Sequence, residues 1–289
     1  MRRSVLAILV LIASCAPDPV RLEDRPALPA AALTCFRTEG FSMLAAHRGG
    51  PAPGYPENAL SSLHRLSELG VLYAEIDVRR SSDGVLFLLH DDTLDRTTTG
   101  TGSVTGQPWS ALSDLQLEDN NGQITADRIP TLSEAIALAQ TAGLVLNLDL
   151  KSVAPEEIVQ TIQATNARDH VAIIAYSIED AAAIHALDAG LVLSVPNDLP
   201  GLAAAGVNLE TSYIWLGTGP LDADMDATLA SRGLETSAGL FRREDGTDTP
   251  YLEARAAGIE LLSIDEVDSA VRALGGAQTL RGQIAACTP

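Results

Sequence analysis

The chain has almost no lysine. Lys151 stands alone beside eighteen arginines, and Asp and Glu outnumber the basic residues 38 to 19. With a formal net charge of −19 and no Lys/Arg cluster, it lacks the phosphate-neutralising surface of a nucleic-acid binder and the polybasic patch that attracts anionic lipid. Long apolar runs are missing too: Val5 to Ala13 is too short to span a bilayer. Only Cys15, Cys35 and Cys287 carry thiols, and no paired Cys or His spacing suggests zinc. No Gly-rich turn follows a strand in the manner of a dinucleotide site. What is there is a chain of 289 residues, 46% hydrophobic, enough for a sizeable core in one large barrel or two ordinary domains.

The N-terminus reads as an export signal. Two arginines, the short apolar run and then LIASC resemble a lipoprotein signal covering residues 1–14, with Cys15 as the lipidated first residue. An ordinary signal peptide cut elsewhere is the alternative. Ala16 rather than Asp after Cys15 favours the outer membrane if the host is Gram-negative, so the expected location is an exported, membrane-anchored lipoprotein facing the periplasm or on the outer membrane. The stretch APDPVRLEDRPALPAAA reads as a flexible tether, residues 15–40 as lipidated Cys15 plus linker, and 41–289 as one folded domain. An exported compartment permits a bridge between Cys35 and Cys287, which would staple the two ends; two separate thiols are the alternative.

From residue 43 onward, short apolar runs alternate with amphipathic segments. Strands are expected at MLAAH (43–47), YAEIDV (73–78), VLFLLH (85–90), LVLNLDL (144–150), HVAIIAYS (170–177), LVLSV (191–195), SYIWLG (212–217), LETSAGLF (234–241) and IELLSI (259–264). Helical patterns such as ENALSSLHRLSELG and PTLSEAIALAQTAG lie between them, several ending in Gly. Repeated β-then-α order predicts an α/β fold, a single-domain (β/α)8 TIM-type barrel preceded by the signal and tether; a doubly wound open sheet is the alternative. Nine strands for eight places make one of them accessory. The polar, Gly-rich stretch 93–129 is expected to be a long loop.

Four consecutive strand candidates then carry ionisable groups to one end. The first runs into His47 and Arg48, the second holds Glu75 and Asp77, the third runs into His90, Asp91 and Asp92, and the fourth places Asn147, Asp149 and Lys151 on one face. Alternation puts Glu75 and Asp77 together, opposite Ala74, Ile76 and Val78. If their face is a barrel interior, the carboxylates need a cation, because neighbouring like charges disfavour each other's ionised form. Three carboxylates with no Cys or His partner make an oxygen-only set, which suits Mg2+ or Ca2+. Lys151, the lone lysine, is either a compact charge kept for a phosphate oxygen or an accident of composition.

The blocks AHRGG and YPENA at 46–59, AEIDV at 74–78, LLHDDTLDRTTTGTG at 88–102, IPTLSEAI at 129–136 and LNLDLK at 146–151 resemble the glycerophosphodiester phosphodiesterase family. The resemblance covers about the first half of the folded region. It implies a (β/α)8 barrel using one divalent cation to hydrolyse glycerophosphodiesters to glycerol phosphate and an alcohol. Residue by residue it makes His47 and His90 the acid–base pair, Arg48 a phosphate contact, Glu75, Asp77 and Asp149 the metal ligands, and Lys151 a phosphate neutraliser. Glu57 and Asn58 fall near the metal. Three departures stand out: Ala59 where Thr usually follows PEN, Asp149 where the third ligand is commonly Glu, and LETSAGLF where many members have a Trp-Thr strand. A lysophospholipase D-like activity and a non-catalytic phosphodiester-binding lipoprotein are the alternative readings.

Overall fold

The computed structural model describes residues 28–288. The signal segment 1–14, Cys15 and the tether as far as residue 27 lie outside them. Eleven strands are found among the described residues: β1 Met43–Ala46, β2 Tyr73–Arg80, β3 Leu86–Leu88, β4 Gln116–Glu118, β5 Ile124–Arg128, β6 Val145–Leu150, β7 Val171–Ile174, β8 Val192–Pro196, β9 Ser212–Trp215, β10 Glu235–Gly239 and β11 Leu261–Ile264. Eight of them run parallel in the order β1-β11-β10-β9-β8-β7-β6-β2, and a β1–β2 pairing closes the ring. The result is the expected single-domain (β/α)8 barrel.

Strand alternation sorts the side chains into two cores. Ala74, Ile76 and Val78 point outward into the main cluster shared with the helices, including Leu63 and Leu66 of the helix Leu60–Leu69. Inside, Tyr73, Val145, Ala172, Val192, Tyr213 and Leu261 fill the lower barrel. The acidic positions sit one and two layers above this plug. In the β2–β6 register Glu75 pairs with Asn147 and Asp77 with Asp149, so both strands bring polar groups to the same height.

Three expectations need correction. Folding begins well before residue 41: α1, Leu28–Glu39, is a helix rather than tether. Its alanines favour helix, Pro29 falls in the tolerated first turn, and Ala32, Leu33 and Phe36 at helical spacing seal the barrel floor. The run 85–90 contributes only the three-residue β3, antiparallel on the edge of β2, so three barrel strands rather than four carry the site. His90 nevertheless arrives, because the hairpin folds back and the Leu89 N–H donates to the Asp77 carbonyl at 3.1 Å. The stretch 93–129 is also more than loop: it holds a one-turn helix, Trp109–Leu112, the β4–β5 hairpin, and a small core of its own around Phe87, Leu94, Leu112 and Ile129.

Cys35 of α1 and Cys287 of the C-terminal helix Ala277–Cys287 are disulfide-bonded, with Cα atoms 5.5 Å apart. The bridge pins the floor helix to the far end of the chain, 252 residues away.

Candidate active site

The turn after β1 is built for a backbone task. Arg48, Gly49 and Gly50 follow one another with φ of 51°, 76° and 68°, and a side chain such as that of Arg48 is uncommon there. This curl aims the Arg48 N–H at Glu75 Oε2, 2.7 Å away. A Cβ at position 50 would meet Leu66 and Val267 at 2.9 Å, which is why Gly is required under the curl. Asn58 locks the next strand in place: its amide donates to Asp77 Oδ2 at 2.7 Å, its carbonyl accepts the Asp77 N–H at 2.9 Å, and its own N–H donates to the Arg48 carbonyl at 2.8 Å.

Glu75, Asp77 and Asp149 converge at this level. All three are buried, and one oxygen from each lies within 4.8 Å of the others. Lys151 Nζ reaches Asp149 Oδ2 at 2.5 Å and Asp77 Oδ1 at 3.1 Å. Tyr176 Oη donates to the same Asp149 Oδ2 at 2.9 Å, while Asp149 Oδ1 is buried with no hydrogen-bond partner among the described residues. Burial and then the Asp77 and Asp149 carboxylates drive the Glu75 carboxyl well above its usual range, against the Arg48 N–H and Lys151. Burial disfavours the Lys151 ammonium, yet Asp149 and Asp77 outweigh it and raise its pKa. Three carboxylates face one ammonium, so full ionisation would leave two negative charges uncompensated. That deficit, the orphaned Oδ1 and the all-oxygen donor set fit a hard divalent ion.

Two imidazoles flank the cluster. His47 Nδ1 lies 2.7 Å from Asp265 Oδ1, and its Nε2 is turned inward, 3.9 Å from Glu75 Oε2. Phe241 packs against the ring with centroids 4.6 Å apart. His90 Nδ1 lies 2.7 Å from Asp91 Oδ1, and Arg48 Nη2 donates to its Nε2 at 3.0 Å. Arg48 cannot give up its proton, so His90 Nε2 accepts and the ring proton sits on Nδ1, facing the carboxylate. Arg96 ties this flank together, donating to both Glu57 oxygens at 2.8 Å and to Asp91 at 2.6 and 2.9 Å. Its hydrogen bond, ahead of that from His90, holds the Asp91 carboxyl far below the carboxylate range. Burial would raise Glu57, but Arg96 and Arg48 overcome it and leave the group lowered.

Every residue expected in the site is therefore brought together: His47, Arg48, Glu57, Asn58, Glu75, Asp77, His90, Asp149 and Lys151. Three others emerge only from the structure, namely Asp265, Arg96 and Tyr176, while Asp91, beside His90 in the sequence, is found as the partner of its ring. Beside the cluster is a cavity of about 190 Å³ walled by Tyr176, Trp215 and Phe241 and floored by Ser194, Ser237 and Ser263. Gly239 lets two of these rings converge, since a Cβ there would meet Phe241 Cε2 at 2.8 Å and Trp215 Cη2 at 2.9 Å. On the other side of His47 a wider polar recess of about 550 Å³ runs past Arg48, Arg96 and Asp265.

Fold and site together define a class: a (β/α)8 barrel whose C-terminal mouth gathers carboxylates between two paired imidazoles. The sequence profile of the glycerophosphoryl diester phosphodiesterase family matches residues 47–192, half the chain, and the chain belongs to that family. A glycerophosphodiester phosphodiesterase of Caldanaerobacter subterraneus is 32% identical over 149 residues, covering 48% of this chain and 61% of that protein. The chain thus spans less than two thirds of the length of that curated relative. Among solved structures, a glycerophosphoryl diester phosphodiesterase from Parabacteroides distasonis superposes with a TM-score of 0.73 at 26% identity, covering 86% of this chain and 87% of that one. An Oleispira antarctica phosphodiesterase, solved in complex with its product sn-glycerol-3-phosphate, shares the fold with a TM-score of 0.67 at 24% identity, covering 82% and 98%.

Proposed function

We propose that this chain is a metal-dependent phosphodiesterase that hydrolyses glycerophosphodiesters to a glycerol phosphate and an alcohol. The observation that carries the reading is the meeting of Glu75, Asp77 and Asp149 between His47 and His90 at one mouth of the barrel. Family membership supports the reaction class, and the product bound by the Oleispira antarctica protein supports a glycerol phosphate product.

The residues divide the labour as follows. Glu75, Asp77 and Asp149 hold Mg2+ or Ca2+, which when bound supplies positive charge to the non-bridging oxygens of the diester. Arg48 and Lys151 add fixed charge where negative charge grows in the transition state. His90 Nε2, unprotonated because Arg48 donates to it, takes the proton of the attacking hydroxyl. His47, with Asp265 at one nitrogen and Glu75 near the other, delivers a proton to the departing alkoxide as the P–O bond breaks. Net, one water is added across that bond, directly where water attacks, or on opening of the cyclic phosphate where a neighbouring substrate hydroxyl attacks first.

The cavity beside the cluster argues for small soluble diesters. At about 190 Å³ it lies below the 300–1,000 Å³ of sites for drug-sized ligands, so a glycerol or a small head group fits and a full acyl chain does not. The wider recess is polar, unlike the apolar channel that a lysophospholipid would need. The Cys35–Cys287 bridge supports an exported protein, in keeping with lipidation at Cys15 and anchoring in a membrane facing the periplasm.

The test is release of choline from glycerophosphocholine by purified protein with added divalent ion. Activity should vanish with EDTA, return with the ion, and fall by at least about a hundredfold in His47→Ala, the lower range for general acid–base catalysis. Absence of metal-dependent, His47-dependent turnover across a panel of glycerophosphodiesters and lysolipids would favour a phosphodiester-binding protein instead.

A further inference from the structure

Asp149 is held unevenly. Lys151 Nζ and Tyr176 Oη both donate to Oδ2, at 2.5 and 2.9 Å, and nothing among the described residues hydrogen-bonds to the buried Oδ1. Two donors on one oxygen fix the carboxylate plane, so Oδ1 is the atom presented for coordination. Tyr176 follows the end of β7 by two residues, and β7 is the strand beside β6, so its hydroxyl reaches Asp149 from the neighbouring strand. Its residue is 70% exposed, so ring packing contributes little to its placement. The hydroxyl is what ties it down.

The geometry points to Tyr176 as a positioning residue that orients Asp149 toward the cation. It rests on the cation reading above and adds a role that no sequence motif announces. The Asp149 side chain is about one methylene shorter than that of a Glu such as Glu75, and a short ligand has less freedom to find the ion by itself. Lys151 supplies charge but turns on a flexible stem. The phenol supplies direction, because its oxygen swings on only two torsions. Partners of this kind commonly change metal affinity by ten- to a hundredfold.

The experiment titrates EDTA-stripped protein with Mn2+ alone by isothermal calorimetry, comparing wild type with Tyr176→Phe. Phe keeps the exposed ring and removes one oxygen, so the metal-free variant should still unfold cooperatively, within the several degrees of wild type that one lost hydrogen bond to a charged group costs. One ion should bind to each, about tenfold more weakly in the variant. A second variant guards against a global effect. In an Asp149→Glu background, where the carboxylate is placed differently against the phenol, Tyr176→Phe should cost clearly less than in wild type. Equal or tighter Mn2+ binding by Tyr176→Phe, or the same penalty in both backgrounds, overturns the role of Tyr176 while leaving the cation site standing. Failure of wild type itself to bind Mn2+ overturns the cation reading and this inference with it.

Discussion

Asp265→Asn probes the proton traffic at His47 most sharply. The Asp265 carboxylate accepts the Nδ1 proton at 2.7 Å, which leaves Nε2 as the nitrogen that works inside the site. Asn keeps the shape but can offer its NH2 group to Nδ1, which excludes a proton there, so a ring that gave its Nε2 proton to the alkoxide would be left as an anion. A hydrogen bond to a charged group is worth about 1.5–3 kcal/mol. The Asp265 side chain is 51% exposed, so solvent screening places the effect near the low end, about 1.5–2 kcal/mol. At 1.36 kcal/mol per decade this is roughly a 10- to 30-fold loss in kcat. The backbone should stay put, since Glu244 accepts the N–H groups of Asp265 and Glu266 at 2.8 and 2.9 Å. Steady-state release of choline from glycerophosphocholine, followed from acid to alkaline pH, gives the readout. The expected result is a lowered kcat with KM little changed, and a smaller loss in Asp265→Ala, where water can accept the Nδ1 proton. Asn within twofold of wild type, or Ala worse than Asn, would refute the reasoning.

Other outcomes follow from features away from the chemistry. Cys35→Ser with Cys287→Ser opens a 252-residue loop and should cost up to about 5 kcal/mol in the loop-entropy model, or on the order of 10–20 °C in melting temperature by calorimetry, with kcat at room temperature kept. A change of a degree or two would mean that the floor helix does not need its staple. Burial, aided by Asp226 and opposed by the Thr236 N–H, pushes Glu260 up to about 7 from 4.5. The folded state then keeps a proton that the unfolded chain releases, so this group's contribution falls as pH rises from about 4.5 to 7 and is flat beyond. Glu260→Gln should therefore gain on wild type by about 2–3 kcal/mol between pH 5 and 8 in urea melts, and a pH-independent difference would contradict it. Gly239→Ala presses on Phe241 and Trp215 and narrows the cavity; KM should rise severalfold, and an unchanged KM would mean that substrate does not enter there.

Much of the site was readable because it is local in sequence. In YAEIDV the alternation alone separates Glu75 and Asp77 from Ala74, Ile76 and Val78, and the closed ring then dictates that the acidic face is interior. The same period delivers Asp149 and Lys151 from LNLDLK. His90 was placed correctly for an incomplete reason: its run looks like a barrel strand, but the residue reaches the site on the descending arm of a hairpin. Periodicity does not reveal whether a short apolar run pairs parallel or antiparallel. Asp265 was hidden because its partner His47 lies 218 residues away and one more acid after IELLSI carries no signal in so acidic a chain. Tyr176 was hidden for the opposite reason: it is an exposed aromatic, and only its hydroxyl shows its purpose. The helix α1 escaped notice because its apolar face, Ala32, Leu33 and Phe36, is short and sits in a Pro- and Ala-rich segment.

The claim on which the chemistry depends is that one hard cation draws Glu75, Asp77 and Asp149 together. Anomalous diffraction from crystals soaked in Mn2+ tests it directly. The account predicts a single strong peak inside the barrel mouth, with an oxygen of each of the three carboxylates at about 2.0–2.6 Å. A peak elsewhere, or none while the three carboxylates close around Lys151 alone, would contradict it.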